Sequence, residues 1–450
     1  MLGDYRIQGR RATDIAADVE RAVAAGELSP GAALPPLREL AGELGVNPNT
    51  VAAAYRLLRD RGVIETAGRK GSRVRPRPAT TSRDALRLPV PAGARDLAAG
   101  NPDPALLPAL APALALAAAV SDRSPVLYGH PAAEPDLLAR AGARFGADGV
   151  PTGALAVTAG ALDAIDRILA TQLRTGDAVA VEDPGWGSLL DLLPAHGLRT
   201  LPVALDDQGP LPQSVEAALA AGARALIVTN RAQNPTGAAL TATRAAELRA
   251  VLARYPQTLL IEDDHGHGIV DLPFQLLSAG PDRQPVTTRW VVIRSMAKAF
   301  GPDLRIAVLT GDQDTVDRLL GRQRLDTGWV SHLLQRTAAE LWRADAAPLA
   351  LVAGAYRARR EALLAALAAH GIEAHGVSGL NVWVPVAEET GAVTALAQRG
   401  WIVAPGARFR LQSAPGLRIT VAALGLEEAP RLADDLAAVL GGSGGASRLV

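Results

Sequence analysis

The spacing of apolar residues changes near residue 97 and divides the chain into two kinds of region. Between residues 12 and 62, apolar residues recur every three or four positions, as in amphipathic helices that pack on one side. After residue 97, short continuous apolar runs alternate with alanine-rich helical stretches. Continuous runs predict strands buried on both faces, and their alternation with helices predicts an α/β domain with a mostly parallel sheet.

The first region is predicted to contain three helices followed by a hairpin. Pro36 lies at the start of the second helix, and Asn47 and Pro48 supply the cap and the first residue of the third. Gly45 lies in the tight turn between these two helices, which is the spacing of a helix-turn-helix. Residues 63–76 read as two short strands around a basic, glycine-rich tip, which predicts a β-hairpin wing. Small three-helix domains that do not bind DNA show similar patterns.

Residues 34–74, LPPLRELAGELGVNPNTVAAAYRLLRDRGVIETAGRKGSRV, resemble the winged-helix DNA-binding domain of the GntR family of bacterial regulators. The phrases LP-x-x-R-E-L-A, L-G-V, N-T-V, A-Y and L-x-x-x-G occur in the family's order. Helix termini and basic side chains would hold phosphates, while the third helix would present its first turn to base edges. By position, the resemblance implies DNA contacts from Arg38, Asn49, Thr50, Arg69, Lys70 and Gly71.

Composition excludes several classes of function. The 450 residues contain 46 basic and 46 acidic side chains and no cysteine, so no disulfide, thiolate metal site or cysteine nucleophile is possible. Residues 1–20 lack the apolar core of a signal peptide, and prolines interrupt the longest apolar run, so no membrane span is expected. This composition fits a cytoplasmic protein. The small basic excess in residues 1–80 would not by itself establish a nucleic-acid partner.

Several predicted strands of the second region end in residues that can bind ligands, among them Thr158, Asn230 and Asp263. Ligands gather at the carboxyl ends of strands in such sheets, so these residues are expected to converge. The strands are predicted at 154–160, 178–185, 223–230, 258–264, 289–295 and 304–312.

Lys298 follows one of these strands closely. The chain has two lysines and 44 arginines, and arginine can neither lose its proton nor form an imine. A lysine beside Ser295 and Arg305 therefore suggests a Schiff base next to a phosphate. Taken alone, the stretch is equally compatible with a surface lysine, but the convergence of the strand ends favours the Schiff base.

Roughly residues 97–440 resemble the fold-type I pyridoxal-phosphate enzymes of the aspartate aminotransferase-like group, with N-P-T-G intact at 234–237. The resemblance implies an internal aldimine between pyridoxal 5'-phosphate and Lys298. It also implies that the cofactor phosphate lies at a helix start, held there by Gly160, Ala161, Ser295 and Arg305.

The same resemblance assigns roles to five other residues. Asp263 would pair with the pyridine nitrogen, Asn234 would bond the phenolic oxygen, and Trp186 would stack on the ring. Tyr128 would reach the phosphate of a neighbouring subunit, which requires a homodimer, and Arg418 would bind the carboxylate of a substrate or effector.

His265 departs from the pattern, because this group generally has a tyrosine two residues after the aspartate. A histidine can still donate to the phenolic oxygen, but it titrates near neutral pH, which leaves the rate of transamination open. A second interpretation is a metal site formed by His265 and His267 with Asp263 and Asp264. The match around Asp263 already explains that carboxylate, so no metal is expected.

A winged helix, a linker and an aminotransferase-like domain on one chain resemble the MocR subfamily of GntR regulators. The segments SMAKAFGPDLR, TGWVSHLLQ and GLNVWVP are closest to a branch that includes regulators of vitamin B6 metabolism. The resemblance implies a dimeric operator-binding regulator that senses pyridoxal phosphate, an amino compound, or both, through Lys298. One alternative is a working aminotransferase with a DNA-binding appendage. Another is a DNA-binding protein whose large domain only dimerises, which the retained Lys298 disfavours.

The length of the chain predicts two or three domains. The expected boundaries are a winged helix-turn-helix at 1–76, a linker rich in proline and arginine at 77–96, and the aminotransferase-like domain at 97–450. Within the last, a large domain is expected at about 125–325 and a small domain at about 326–440.

Overall fold

The computed structural model describes most of the chain. The predicted wing-tip residues Arg69 and Lys70, and most of the predicted linker, lie outside the described residues. Those described are 5–25, 27–28, 31–60, 63–66, 71–74, 83, 90–151, 153–343 and 346–443.

The first region forms three helices and an antiparallel hairpin, as its apolar spacing predicts. Asn47 accepts a hydrogen bond from the Asn49 amide at 2.8 Å, and the third helix begins at Pro48, so the predicted start of this helix is confirmed. Gly45 ends the second helix in the left-handed conformation, with φ of 63°. The elements are α1 Ala12–Ala25, α2 Leu37–Leu44, α3 Pro48–Asp60, β1 Ile64–Thr66 and β2 Ser72–Val74.

The rest of the described chain alternates strands with helices. The strands are β3 Arg95–Asp96, β4 Ala154–Thr158, β5 Ala178–Asp183, β6 Arg199–Asp206, β7 Gly209–Pro210, β8 Ala223–Thr229, β9 Leu259–Asp264, β10 Arg289–Ser295, β11 Ala307–Gly311, β12 Asn381–Pro385, β13 Trp401–Ile402, β14 Ala404–Pro405 and β15 Gly416–Thr420. The helices are α4 Ala111–Arg123, α5 Pro135–Ala147, α6 Ala161–Gln172, α7 Gly187–Ala195, α8 Pro212–Ala220, α9 Ala242–Leu252, α10 Ala297–Phe300, α11 Gln313–Arg324, α12 His332–Arg343, α13 Ala346–Ala369, α14 Glu389–Gln398 and α15 Ala429–Ser443.

The main sheet has eight strands in the order β4-β11-β10-β9-β8-β5-β6-β7. Strands β10, β9, β8, β5 and β6 are parallel, so the predicted mostly parallel sheet is confirmed. The apolar runs did not show that β11 is antiparallel to both β10 and β4. Strand β6 was not predicted, because its residues are largely exposed or half-buried and form no apolar run.

Helices cover both faces of this sheet, as continuous apolar strands require. One face packs against α5, α9 and α12, and the other packs against α6, α7 and α11. Six of the eight strands, β4, β5, β8, β9, β10 and β11, therefore have both faces in a core, and their polar residues lie mainly near their ends.

A second, smaller core follows the main sheet. It contains the sheet β12-β15-β14 and helices α13, α14 and α15. Strand β3, which lies within the range predicted as linker, pairs in parallel with β13. The chain therefore enters this smaller core before it reaches the main sheet. Among the described residues, no helix has the length and apolar character needed to cross a membrane.

Candidate functional site

Three strand ends meet at one edge of the main sheet because β11 runs against its neighbours. Its first residue, Ala307, pairs with Thr158 at the end of β4 and with Ser295 at the end of β10. The residues that follow β4 and β10 are therefore brought to the residues that precede β11. The predicted convergence of Gly160, Ser295 and Arg305 follows from this register.

A cradle for an anion lies at the start of α6. Gly160 caps this helix with φ of 100°, and a Cβ atom there would lie 2.9 Å from Nη2 of Arg305. Arg305 also has a positive φ, 48°, and its Nη2 donates to the Ala159 carbonyl at 2.8 Å. Strained backbone of this kind clusters at functional sites. The first amides of α6, starting at Ala161, add the positive end of a helix dipole.

Lys298 lies in α10, one turn beyond Ser295, and is half-buried. Its Nζ donates to the carbonyl of Gly100 at 2.7 Å. Gly100 is in the left-handed conformation, and a Cβ atom there would lie 3.1 Å from Nη2 of Arg418. Lys298 and Arg418, the predicted carboxylate-binding residue, therefore both lie against Gly100 in the segment after β3.

Arg418 and Asn234 contact each other directly. Nη1 of Arg418 donates to Oδ1 of Asn234 at 3.0 Å, and the guanidinium lies over the Phe409 ring, 4.6 Å from its centroid. A guanidinium can only donate, so the amide oxygen of Asn234 must face it. The amide nitrogen of Asn234 is then directed away from Arg418, as a donor to a phenolic oxygen would need to be.

Asp263, at the end of β9, is a buried carboxylate with one oxygen bonded and one not. His265 Nδ1 lies 2.9 Å from Oδ2 of Asp263, and His265 Nε2 lies 2.7 Å from the carbonyl of Ala232. Among the described residues, Oδ1 of Asp263 is buried and has no hydrogen-bond partner. A buried acceptor of this kind costs free energy unless a donor reaches it.

The contacts of His265 indicate that its imidazole is cationic. A carbonyl only accepts, so Nε2 carries a proton, and Nδ1 donates to Asp263 when that carboxylate is ionised. Burial lowers the pKa of His265, but the hydrogen bond to Asp263 and its charge outweigh burial, and the pKa is raised. Both ring nitrogens are occupied, so this arrangement leaves neither for the phenolic oxygen.

A buried pair that the sequence did not reveal joins two loops of the site. Gln233 donates to Oε2 of Glu182 at 3.1 Å and to the Pro184 carbonyl at 2.9 Å, and its Oε1 accepts from the Thr236 hydroxyl at 2.7 Å. Burial raises the pKa of Glu182 to about 7. The pair fastens the loop that carries Trp186 to the loop that carries Asn234. A glutamine before N-P-T-G gives no signal of this role in the sequence.

Trp186 and Tyr128 differ in their exposure to solvent. Trp186 is half-buried and caps the start of α7. Tyr128 lies on the surface, with 93% of its side chain exposed and its ring edge-on to Trp329 at 5.6 Å. An exposed tyrosine on this surface is available to a second subunit.

The residues proposed for a metal site do not converge. Asp264 binds Arg231 and Arg294 in a separate buried cluster, while His267 lies edge-on to Trp342. Burial and then the charge of Arg294 lower the pKa of His267 to about 3. Within the part of the chain that the structure describes, no three metal-ligating side chains form a site.

The winged helix presents the predicted DNA contacts outward, as far as they are described. Arg38 and Asn49 are exposed, Thr50 is half-buried, and all three lie in the first turns of α2 or α3. Gly71 is exposed just before β2, with φ of 80°. The buried sides of the same helices form the core of this region. One surface thus carries the predicted contacts, and the other holds the fold together.

A strand-end lysine, a glycine cradle and a buried aspartate on a mixed sheet define an aminotransferase-like domain of fold type I, joined here to a winged helix. Residues 94–436 match the family of class I and II aminotransferases, and residues 11–74 match the gntR family of bacterial regulatory proteins. The chain belongs to the MocR subfamily of the GntR transcriptional regulators, which are DNA-binding proteins with both parts.

Named relatives agree with this assignment. The vitamin B6 salvage pathway transcriptional repressor PtsJ of Salmonella typhimurium is 40% identical over 443 residues, covering 96% of this chain and 98% of the relative. The pyridoxine biosynthesis transcriptional regulator PdxR of Corynebacterium glutamicum is 32% identical over 301 residues, covering 60% of each chain. Both relatives are regulators by name.

Solved structures of aminotransferases share the fold. The α-aminoadipate aminotransferase LysN of Thermus thermophilus, complexed with a phosphopyridoxyl-leucine adduct, has a TM-score of 0.68 at 22% identity, covering 78% of this chain and 93% of that chain. The kynurenine aminotransferase of Pyrococcus horikoshii has a TM-score of 0.68 at 18% identity, covering 78% and 92%. At these identities the likeness establishes the fold alone.

Substitution of His265 by glutamine should reduce stability in a pH-dependent way. Because the folded-state pKa is raised above its unfolded value of about 6.5, the stabilising contribution of His265 is complete below that pH and is lost as pH rises through the folded-state pKa. We expect the difference in urea midpoint between wild type and His265→Gln to be largest near pH 6 and to be smaller at a second pH above the folded-state pKa.

His130→Gln, at an exposed turn, is the matched control and should change the midpoint little at either pH. A difference for His265→Gln that stays constant across this range would contradict a cationic His265.

Proposed function

We propose that this regulator binds pyridoxal 5'-phosphate covalently at Lys298 and that the bound cofactor, or an amino compound that combines with it, sets the affinity for operator DNA. The observation that carries the proposal is the buried Oδ1 atom of Asp263, which lacks a partner among the described residues. A pyridinium N–H is a donor suited to this oxygen.

The other residues of the site support the same occupant. The cradle of Gly160, Ala161, Ser295 and Arg305 joins backbone amides, a hydroxyl and a guanidinium, a donor set that fits a phosphate monoester. A Cβ atom at position 160 would lie 2.9 Å from Nη2 of Arg305, so a larger residue there would push the guanidinium out of the cradle. Lys298 lies near this cradle, where it donates to the Gly100 carbonyl. An amine beside a phosphate site suits a cofactor that has both a phosphate and an aldehyde.

When bound, the cofactor supplies an aldehyde that combines reversibly with amines. The residues of the chain would bind and orient it: Asp263 would accept from its ring nitrogen, Asn234 would donate to its phenolic oxygen, and Trp186 would cover one face of the ring. His265 occupies Oδ2 of Asp263 and leaves Oδ1 as the acceptor for the ring nitrogen. Lys298 supplies the amine that an incoming amino compound would displace.

Arg418 favours an effector with a carboxylate. Its guanidinium is already beside Asn234, and its second nitrogen donates to the carbonyl of Ala98. A carboxylate would bind this fork bidentately, which is a stronger interaction than a neutral carbonyl can make. An amino acid that combined with the cofactor in place of Lys298 and set its carboxylate on Arg418 would therefore displace the segment that contains Ala98.

Operator binding requires a dimer in this proposal. Tyr128, which is exposed here, would reach the cofactor phosphate of the other subunit, and the two winged helices would read paired half-sites. The name of the full-length relative supports genes of vitamin B6 metabolism as targets. Operator binding also implies a cytoplasmic location, where the DNA lies.

Covalent attachment is tested by borohydride reduction of cofactor-loaded protein followed by peptide mass analysis. We expect one pyridoxyl group on the peptide that contains Lys298 and loss of the bound cofactor's visible absorption in Lys298→Ala. Lys70→Ala changes the only other lysine and is the matched control, which should retain both signals. Equal labelling of wild type and Lys298→Ala would refute the proposed attachment.

DNA recognition is tested by measuring operator and random-sequence affinity at several salt concentrations. Affinity should fall as salt rises, because bound phosphates release counterions. Arg38→Ala should weaken binding to every sequence, whereas Asn49→Ala should change sequence preference by about 1–3 kcal/mol if it contacts a base. Arg318→Ala, in an exposed pair with Asp314 on α11, is the control. Equal wild-type affinity for operator and random DNA would contradict operator recognition.

A further inference from the structure

Arg83, in the predicted linker, is fastened to the aminotransferase-like domain. Its backbone amide and its Nε donate to the two carboxylate oxygens of Asp191, at 2.7 and 2.9 Å. Its Nη1 donates to the Arg410 carbonyl at 3.2 Å. These three hydrogen bonds fix both the backbone and the side chain of one linker residue. The charged pair is about one-third exposed on each side, so it lies at the surface.

Asp191 lies on the helix that starts at the predicted ring-stacking residue. The Trp186 carbonyl accepts the first hydrogen bond of α7, from Leu190, and Asp191 follows in the next position. Gly187 allows the backbone of Arg408 to approach α7, because a Cβ atom there would lie 2.7 Å from the Arg408 carbonyl, and the Cβ atom of Arg83 lies beside the same position at 3.8 Å. A displacement of Trp186 would therefore carry Asp191 with it.

Arg410 belongs to a segment that is hydrogen-bonded to the residues just before α7. Asp183 accepts backbone hydrogen bonds from Leu411, Gln412 and Ser413 at 2.7 to 2.9 Å, and the Phe409 carbonyl accepts from Gly185 at 2.7 Å. We call residues 183–191 and 409–413 together the anchoring unit. The hydrogen bonds within it join residues 183–185, which lead directly into α7, to the 409–413 segment, so we expect α7 and this segment to move together.

Two residues of the anchoring unit belong to the proposed cofactor site or pack against it. One is Trp186, and the other is Phe409, whose ring lies under the guanidinium of Arg418. A ligand that packs on Trp186 or draws Arg418 toward itself therefore acts on the unit to which Arg83 is fastened. We infer that the contact of Arg83 with Asp191 and Arg410 transmits the state of the cofactor site to the DNA-binding domain. This inference rests on the proposed function.

The test compares operator dissociation constants of full-length apo protein and protein loaded with pyridoxal 5'-phosphate. The coupling ratio is the quotient of these two constants, and we expect about tenfold for wild type, within the usual range for allosteric coupling. Arg83→Ala and Asp191→Ala should each bring the ratio to within about twofold of one, and the double variant should do no more than either. Apo operator affinity and cofactor affinity should stay close to wild type in all three.

Arg318→Ala, which removes another surface ion pair of the same domain, should leave the coupling ratio unchanged. A ratio near tenfold in Arg83→Ala, beside the same ratio in wild type, would overturn the inference and leave the proposed function standing. A wild-type ratio near one would overturn the proposed function, and this inference with it.

Discussion

Burial of Asp263 with only one of its oxygens bonded is the constraint on which the rest of the site depends. A buried carboxylate must be neutralised or matched by donors, because desolvation of its charge costs several kcal/mol. His265 meets this need at Oδ2, and its other nitrogen is fixed by the Ala232 carbonyl. The remaining oxygen is buried and has no hydrogen-bond partner among the described residues, an arrangement that favours a ring N–H donor.

The hydrogen-bonded pair of Asp263 and His265 explains why a histidine serves at position 265. A tyrosine is neutral and would donate to the phenolic oxygen of the proposed cofactor, whereas His265 would add a positive charge on the side of its pyridine nitrogen. With both ring nitrogens occupied, the phenolic oxygen is left with Asn234 as its donor among the predicted residues. Under the proposed function, the site would hold the cofactor ring in place and would have one fewer group for moving protons during transamination. This favours sensing over turnover.

Much of the fold could be predicted because apolar runs and strand ends carry strong local signals. Six strands of the main sheet and the residues at their ends, including Lys298, follow from such runs. The antiparallel course of β11 could not be predicted, because pairing direction depends on contacts distant in sequence. Strand β6 was missed for a different reason. Only the two-residue β7 lies beyond it in the sheet, and its largely exposed or half-buried residues form no apolar run.

Contacts between loops could not be predicted either. Gln233 and Glu182 lie 51 residues apart, and their pairing depends on the register of β5, β8 and β9. Nothing in the sequence distinguishes Arg83 as the residue that contacts Asp191, because the linker around it is rich in arginine. Position in the fold, rather than residue type, distinguishes this arginine from the other 43. The family resemblance supplied what the residues alone left open, such as the pairing of Asp263 with a ring nitrogen.

The central claim is that the cofactor site controls DNA binding, and the most direct measurement is operator affinity in three states of the protein. These are apo wild type, wild type loaded with pyridoxal 5'-phosphate, and Lys298→Ala with the cofactor present. The account predicts that the loaded wild type differs from apo protein by about tenfold and that Lys298→Ala matches the apo protein. Identical affinity in all three states, with transamination of common amino acids at about one turnover per second or faster, would contradict it and indicate an enzyme.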